Sequence, residues 1–129
     1  MESEVDFHTA VELILRRDAR FRSEAYSFVM LATGFTVSRL AEPRHVKGQE
    51  LLEGIRDFAI EQYGPMTKTV FEHWGLRSTL DFGHIVYNLI EAGLMSRTPT
   101  DRLEDFRDGF DFEKALIQDY PWGSEVPRT

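Results

Sequence analysis

A chain of 129 residues with a net charge of −7 and a pI near 5.1 has room for one hydrophobic core and not two, and its acidity disfavours a nucleic-acid role for the molecule as a whole. It contains no cysteine, which removes disulfide frameworks, thiolate-held metals and thiol nucleophiles. Ten phenylalanines point to an aromatic-rich core; no apolar run approaches the roughly 20 residues of a membrane span, and the first residues are acidic rather than basic and then apolar, so the expectation is a cytoplasmic protein without membrane partners.

In chain order, Ser3 with Asp6 has the spacing of a reciprocal N-cap, and Phe7, Ala10, Val11, Ile14 and Leu15 follow as one stripe, predicting a helix over 4–17. Arg16, Arg17, Arg20 and Arg22 close it with the densest positive charge in the chain. The favoured reading is a solvated helix end, where cations suit the dipole; the other is a phosphate-contacting patch. Ser23 is placed to cap the next segment. Tyr26, Val29, Met30, Thr33, Val37 and Leu40 repeat at helical spacing, but Gly34 interrupts and Phe35-Thr36-Val37 favours a strand. A kinked helix over 23–41, stopped by Pro43, is expected, with a strand as the alternative. Arg39, Arg44, His45 and Lys47 crowd the next connection, where an anion site at the following helix N-terminus competes with an ordinary polar loop. That helix, over 48–63, turns Leu51, Leu52, Ile55, Phe58 and Ala59 inward, and Glu50, Glu53, Asp57 and Glu61 outward.

The organising stretch comes next. Gly64-Pro65 opens a helix that repeats Met66, Val70 and Trp74, with Phe71 on its flank. Gly75 and Leu76 supply a left-handed stop and its hydrophobic contact. Ser78 with Asp81 starts a second helix over 78–92, striped with Phe82, Ile85, Val86, Leu89 and Ile90 and closed by Gly93-Leu94. Then the period changes. Residues 94–97, a Thr98-Pro99-Thr100-Asp101 turn and residues 102–106 read as a hairpin. The expected fold is therefore mainly α, a winged helix-turn-helix-like core with N-terminal helices and a short β-hairpin. Asp111 caps a last short helix to about 118, and 119–129 is expected as an extended tail beyond a single-domain core of about 4–118, anchored only if Tyr120 and Trp122 dock.

Chemical constellations are scarce. The four histidines, His8, His45, His73 and His84, form no metal-spaced pair. Asp105, Asp108, Asp111 and Glu113 lack the spacing of a calcium loop. There is no nucleophile elbow, phosphate loop or dinucleotide glycine pattern, so no catalytic residue, metal or cofactor is expected. With the apolar stripe of 78–92 turned inward, Asp81, His84, Tyr87, Asn88 and Glu91 face out. Asn88 is of a type that reads adenine, and Arg77, Arg97 and Arg102 would line the turn and wing. Two carboxylates without a Lys or Arg on that side, however, oppose a polyanion.

Three runs, 45–56 (His-Val-Lys-Gly-Gln-Glu-Leu-Leu-Glu-Gly-Ile-Arg), 74–83 (Trp-Gly-Leu-Arg-Ser-Thr-Leu-Asp-Phe-Gly) and 108–112 (Asp-Gly-Phe-Asp-Phe), resemble a bacterial family of short acidic proteins of uncharacterised function. The resemblance spans about 5–116 and implies one bacterial domain; it brings no activity, cofactor or site. The reading from sequence is a non-catalytic protein-interaction or self-association module, its partner another protein or a second copy. The interaction face would comprise Arg77, His84, Tyr87, Asn88 and Glu91, with Arg39, Arg44, His45 and Lys47 as an anion patch. The alternatives are a winged-helix DNA-binding regulator and a small enzyme without a recognisable motif.

Overall fold

Apolar stripes at helical spacing need a partner for each face, and the chain meets that need with helices alone. The computed structural model describes the backbone of residues 3–118 and the side chains of 7–117. The expectations for 119–129 and for the Ser3 and Asp6 side chains lie outside the described residues. Five α-helices follow one another: α1 (Ser3–Arg17), α2 (Ser23–Ser38), α3 (Gly48–Tyr63), α4 (Thr67–His73) and α5 (Thr79–Glu91). Short 3-10 turns stand at Gly64–Met66 and Leu103–Phe106, and a π-helical turn at Lys114–Gln118.

The middle of the molecule is α5. It packs on α2, on α3 and on the turn at Leu103–Phe106, while α3 also carries α2 and α4. The aromatic core is built around Phe28, whose ring lies 5.4 Å from Trp74, 5.6 Å from Phe58 and 5.8 Å from Phe71 between centroids, spacings at which tilted and edge-on pairs attract. Tyr26, Phe71, Phe82, Leu52, Ile55, Ile85 and Leu89 are fully buried; each such apolar side chain stabilises by about 1.5–3 kcal/mol.

The stop signals act as their chemistry requires. Gly75 at φ +95 and Gly93 at φ +82 are left-handed. The N–H of Leu76 reaches the Phe71 carbonyl and that of Leu94 the Leu89 carbonyl, both at 2.9 Å, closing two Schellman ends. Asp81 caps α5 by accepting the N–H groups of Arg77 (2.8 Å) and Ser78 (3.3 Å). The 23–41 segment is helical and runs through Gly34 to Ser38, shorter than expected. Its β-branched stretch is held because Thr36 returns its hydroxyl to the Ala32 carbonyl at 2.7 Å and presses on Gly54 of α3, where a Cβ would collide with it.

The hairpin and the wing are corrected: among the described residues there is no strand. Side-chain carboxylates take the donors that a ladder would need. Asp101 accepts the Thr98 N–H at 2.8 Å and Asp105 accepts the Arg102 N–H at 3.0 Å. The segment tightens into a turn instead and drives Phe106, 4% exposed, into the core. Residues 94–109 thus form a strap over α5, fastened where Thr79 donates to the Phe106 carbonyl at 2.6 Å and accepts the Gly109 N–H at 2.9 Å.

Candidate functional site

The polar residues of α5 do not form an outward face. Among the described residues of α5, Glu91 alone is exposed. Asn88 is buried and its amide joins three segments: Nδ2 donates to Asp18 at 2.9 Å and to the Tyr26 hydroxyl at 3.0 Å, and Oδ1 accepts from Arg17 at 3.4 Å. Arg20 clasps Asp18 through two nitrogens, at 2.9 and 2.7 Å, and Arg17 reaches Glu91 at 3.1 Å. The Arg20 hydrogen bonds, with help from Asn88, hold the Asp18 carboxyl well below the usual carboxylate range, and burial pushes the Tyr26 phenol up. A buried amide with both donors used is a structural joint.

Tyr87 is half-buried; its ring lies under the Arg97 guanidinium, 5.3 Å away, and its hydroxyl is buried without a hydrogen-bond partner. His84 is half-buried and Arg77 exposed. Arg77 and Glu91 stand at opposite ends of α5, about 20 Å apart along the axis. The five residues expected as one interaction face therefore do not present one exposed surface: four share a side of α5, but of these only Glu91 is exposed. The turn between α4 and α5 is covered as well. A Cβ at Gly75 would strike the Arg20 carbonyl oxygen, and the Arg22 N–H donates to the Trp74 carbonyl at 3.1 Å.

Of the four residues expected as an anion patch, Arg39, Arg44 and His45 pair with the chain's own carboxylates. Arg44 makes a two-pronged pair with Glu50 at 3.0 and 2.8 Å, Arg39 pairs with Asp57 at 2.9 Å and lies over Phe35, and His45 Nε2 meets Asp101 at 2.7 Å. Glu50 also caps α3 by accepting the Lys47 N–H at 3.0 Å, so the helix terminus already holds its anion. The Arg44 hydrogen bonds first, and that N–H second, lower the Glu50 carboxyl to about 2. Burial alone would raise Asp101; the Thr98 N–H and His45 outweigh it and hold it below the ordinary value.

His45 and Asp101 border a cavity of about 40 Å³ lined by Leu51, Val86, Tyr87 and Phe106, with space for a few waters and not for a substrate. An imidazole oriented by a carboxylate is a general-base arrangement; Asp101 also lines an open pocket of about 410 Å³ with Lys47, Gln49, Glu50 and Asp105, but His45 is not in its lining. Among the described residues no group of three or more His, Asp or Glu side chains converges as a metal site. No helix among them is long and apolar enough to cross a membrane.

The surface that stands out lies on α2 and α3. A groove of about 360 Å³ is lined by Ser23, Glu24, Ser27, Phe28, Leu31, Phe58, Gln62, Tyr63 and Trp74, and Leu31 on its rim is 63% exposed. Sequence reasoning missed it, although a signal was present. Residues 25–38 carry no charge, so no face of that helix is marked for water, and Leu31 falls outside the apolar stripe. Comparison with family models, with curated proteins and with solved structures returned no match.

Proposed function

We propose that this chain is a non-catalytic protein-docking module acting in the cytoplasm, and that its docking surface is the α2–α3 groove rather than α5. The observation that carries the reading is Leu31, 63% exposed beside a groove floored by Phe28, Phe58, Tyr63 and Trp74. Aromatic side chains lining a surface groove are the usual anchors of protein interfaces. DNA reading by α5 is disfavoured, since α5 lies beneath the strap and would have to shed it to enter a major groove.

A photoactivatable phenylalanine analogue at position 31, introduced in the native cell, tests the reading. Adducts with a protein chain are expected there and not at Leu13, an equally bare leucine on α1, 55% exposed. Equal labelling at both positions, none at either, or an adduct formed only within a single molecule overturns it.

A further inference from the structure

Resting on the docking reading above, we infer that the occupant of the α2–α3 groove is a second copy of this chain, its α2 laid antiparallel across the first. The exposed residues of α2 are Ser23, Glu24, Ser27, Leu31, Gly34 and Ser38, which fall within an arc of about 100° on the helix. One of the six is charged. In a chain that is 29% charged and carries −7, two copies repel at long range, and this arc sets little like charge face to face. A partner for an uncharged stripe must itself be uncharged, and a two-fold contact supplies that by placing the same patch on both sides.

Charge fixes the direction. Glu24 lies seven residues before Leu31 and Arg39 eight after it. An antiparallel crossing centred on Leu31 brings Glu24 of one copy beside Ser38 and Arg39 of the other, whereas a parallel one sets Glu24 against Glu24 and Arg39 against Arg39. Arg39 keeps 47% of its side chain exposed while paired with Asp57, so it has donors to share. Gly34 has nothing within 4 Å of where a Cβ would stand, leaving space for the crossing helix. Each Leu31 then reaches the aromatic floor of the other copy's groove. The 16 residues of α2 present a strip about 24 Å by 10 Å, roughly a third of the ~800 Å² that a standard interface takes from each partner. The α3 side of the groove must contribute the rest, and the expected dissociation constant is micromolar. Salt should tighten the dimer by screening the net charge.

Sedimentation equilibrium on the full chain tests this. A dimer is expected to populate below about 100 µM, to strengthen with salt, and to weaken about 30-fold or more in the Leu31→Glu variant, with Leu13→Glu unchanged and circular dichroism unaltered in both. Because the chain has no native cysteine, oxidation of Leu31→Cys should give a cross-linked dimer, while Ser38→Cys should not. Cross-linking of Ser38→Cys as strongly as Leu31→Cys would overturn the antiparallel crossing. A chain monomeric through about 100 µM overturns self-docking outright. If the probe at position 31 still labels a different protein in cells, the docking reading stands without it; if it labels nothing, both fall.

Discussion

Two helices of this molecule invert each other. In sequence α5 alternates apolar and polar residues as a surface helix does, yet it packs on α2, α3 and the strap and leaves only Glu91 exposed among its residues. In sequence α2 is uncharged from residue 25 to 38, as a core helix would be, yet it shows Ser27, Leu31 and Gly34 to solvent. Amphipathicity reports which groups need partners, not which face meets water. On α5 the polar groups found protein partners: Asn88 has Asp18, Tyr26 and Arg17, and Asp81 has the N–H groups at its own N-terminus. On α2 Leu31 stays 63% exposed at the rim of the groove.

The contrast breaks most readily at Asn88. Replacing it with alanine takes one hydrogen bond from the Asp18 carboxylate, which keeps Arg20, and strands the buried Tyr26 hydroxyl, so Asn88→Ala should cost about 1–3 kcal/mol in chemical denaturation. An unchanged midpoint would mean that this side of α5 is solvated and that the two helices do not differ. Next come the helix glycines. A Cβ at Gly83 of α5 would stand 2.8 Å from Phe106 Cβ and 3.0 Å from Leu103 Cδ1, so Gly83→Ala should overpack the strap and destabilise by about 1–3 kcal/mol. A Cβ at Gly34 of α2 meets nothing, and Gly34→Ala in dilute protein should stabilise by about 0.5–1 kcal/mol. Opposite signs from one substitution in two helices would sharpen the comparison; matching signs would dissolve it.

These cases also show where the sequence was readable. The span of α3 and the glycine-leucine stops at Gly75 and Gly93 were legible because each depends on residues within one or two turns. The helical state of residues 23–38 was legible from periodicity, though its end was not. The hairpin failed because Asp101 and Asp105 cap their own turns, and a carboxylate next to a turn looks the same in sequence whether it caps a helix or flanks a strand. The interaction face failed for a longer-range reason. Asn88 bonds to Asp18 across 70 positions and to Tyr26 across 62, and no local pattern carries such a pairing. The pairing within the expected anion patch was hidden likewise, since the carboxylates beside Arg39 and His45 are Asp57 and Asp101, on other elements.

Acid should separate the two regions. Asp18, in the joint beside α5, and Glu50, at the start of α3, both have carboxyls lowered in the folded state. A lowered folded pKa contributes stability that is fully present above the unfolded value and lost as pH falls toward the folded one. The loss should therefore begin as pH falls through the ordinary carboxylate range, running down to about 2 for Glu50 and lower still for Asp18. Asn88→Ala, which removes a hydrogen bond to Asp18, should shallow this acid limb in a denaturant series against pH. Arg44→Ala should shallow it only slightly, because the Glu50 pair is exposed and screened. An equal change from both variants would place the joint at the surface.

The smallest effect on folding belongs to Leu31→Glu. With 63% of Leu31 exposed, the charge enters water rather than the core, and the unfolding free energy of dilute protein should stay within about 0.5 kcal/mol of the parent. The helix gives a reason for this tolerance, since glutamate forms helix about as well as leucine and no acidic neighbour stands three or four positions away. A loss several times larger would show that Leu31 is packed in the monomer, and α2 would then have no bare face to set against α5. A near-neutral result in folding beside a large one in assembly is the combination that only a surface residue with an external partner produces.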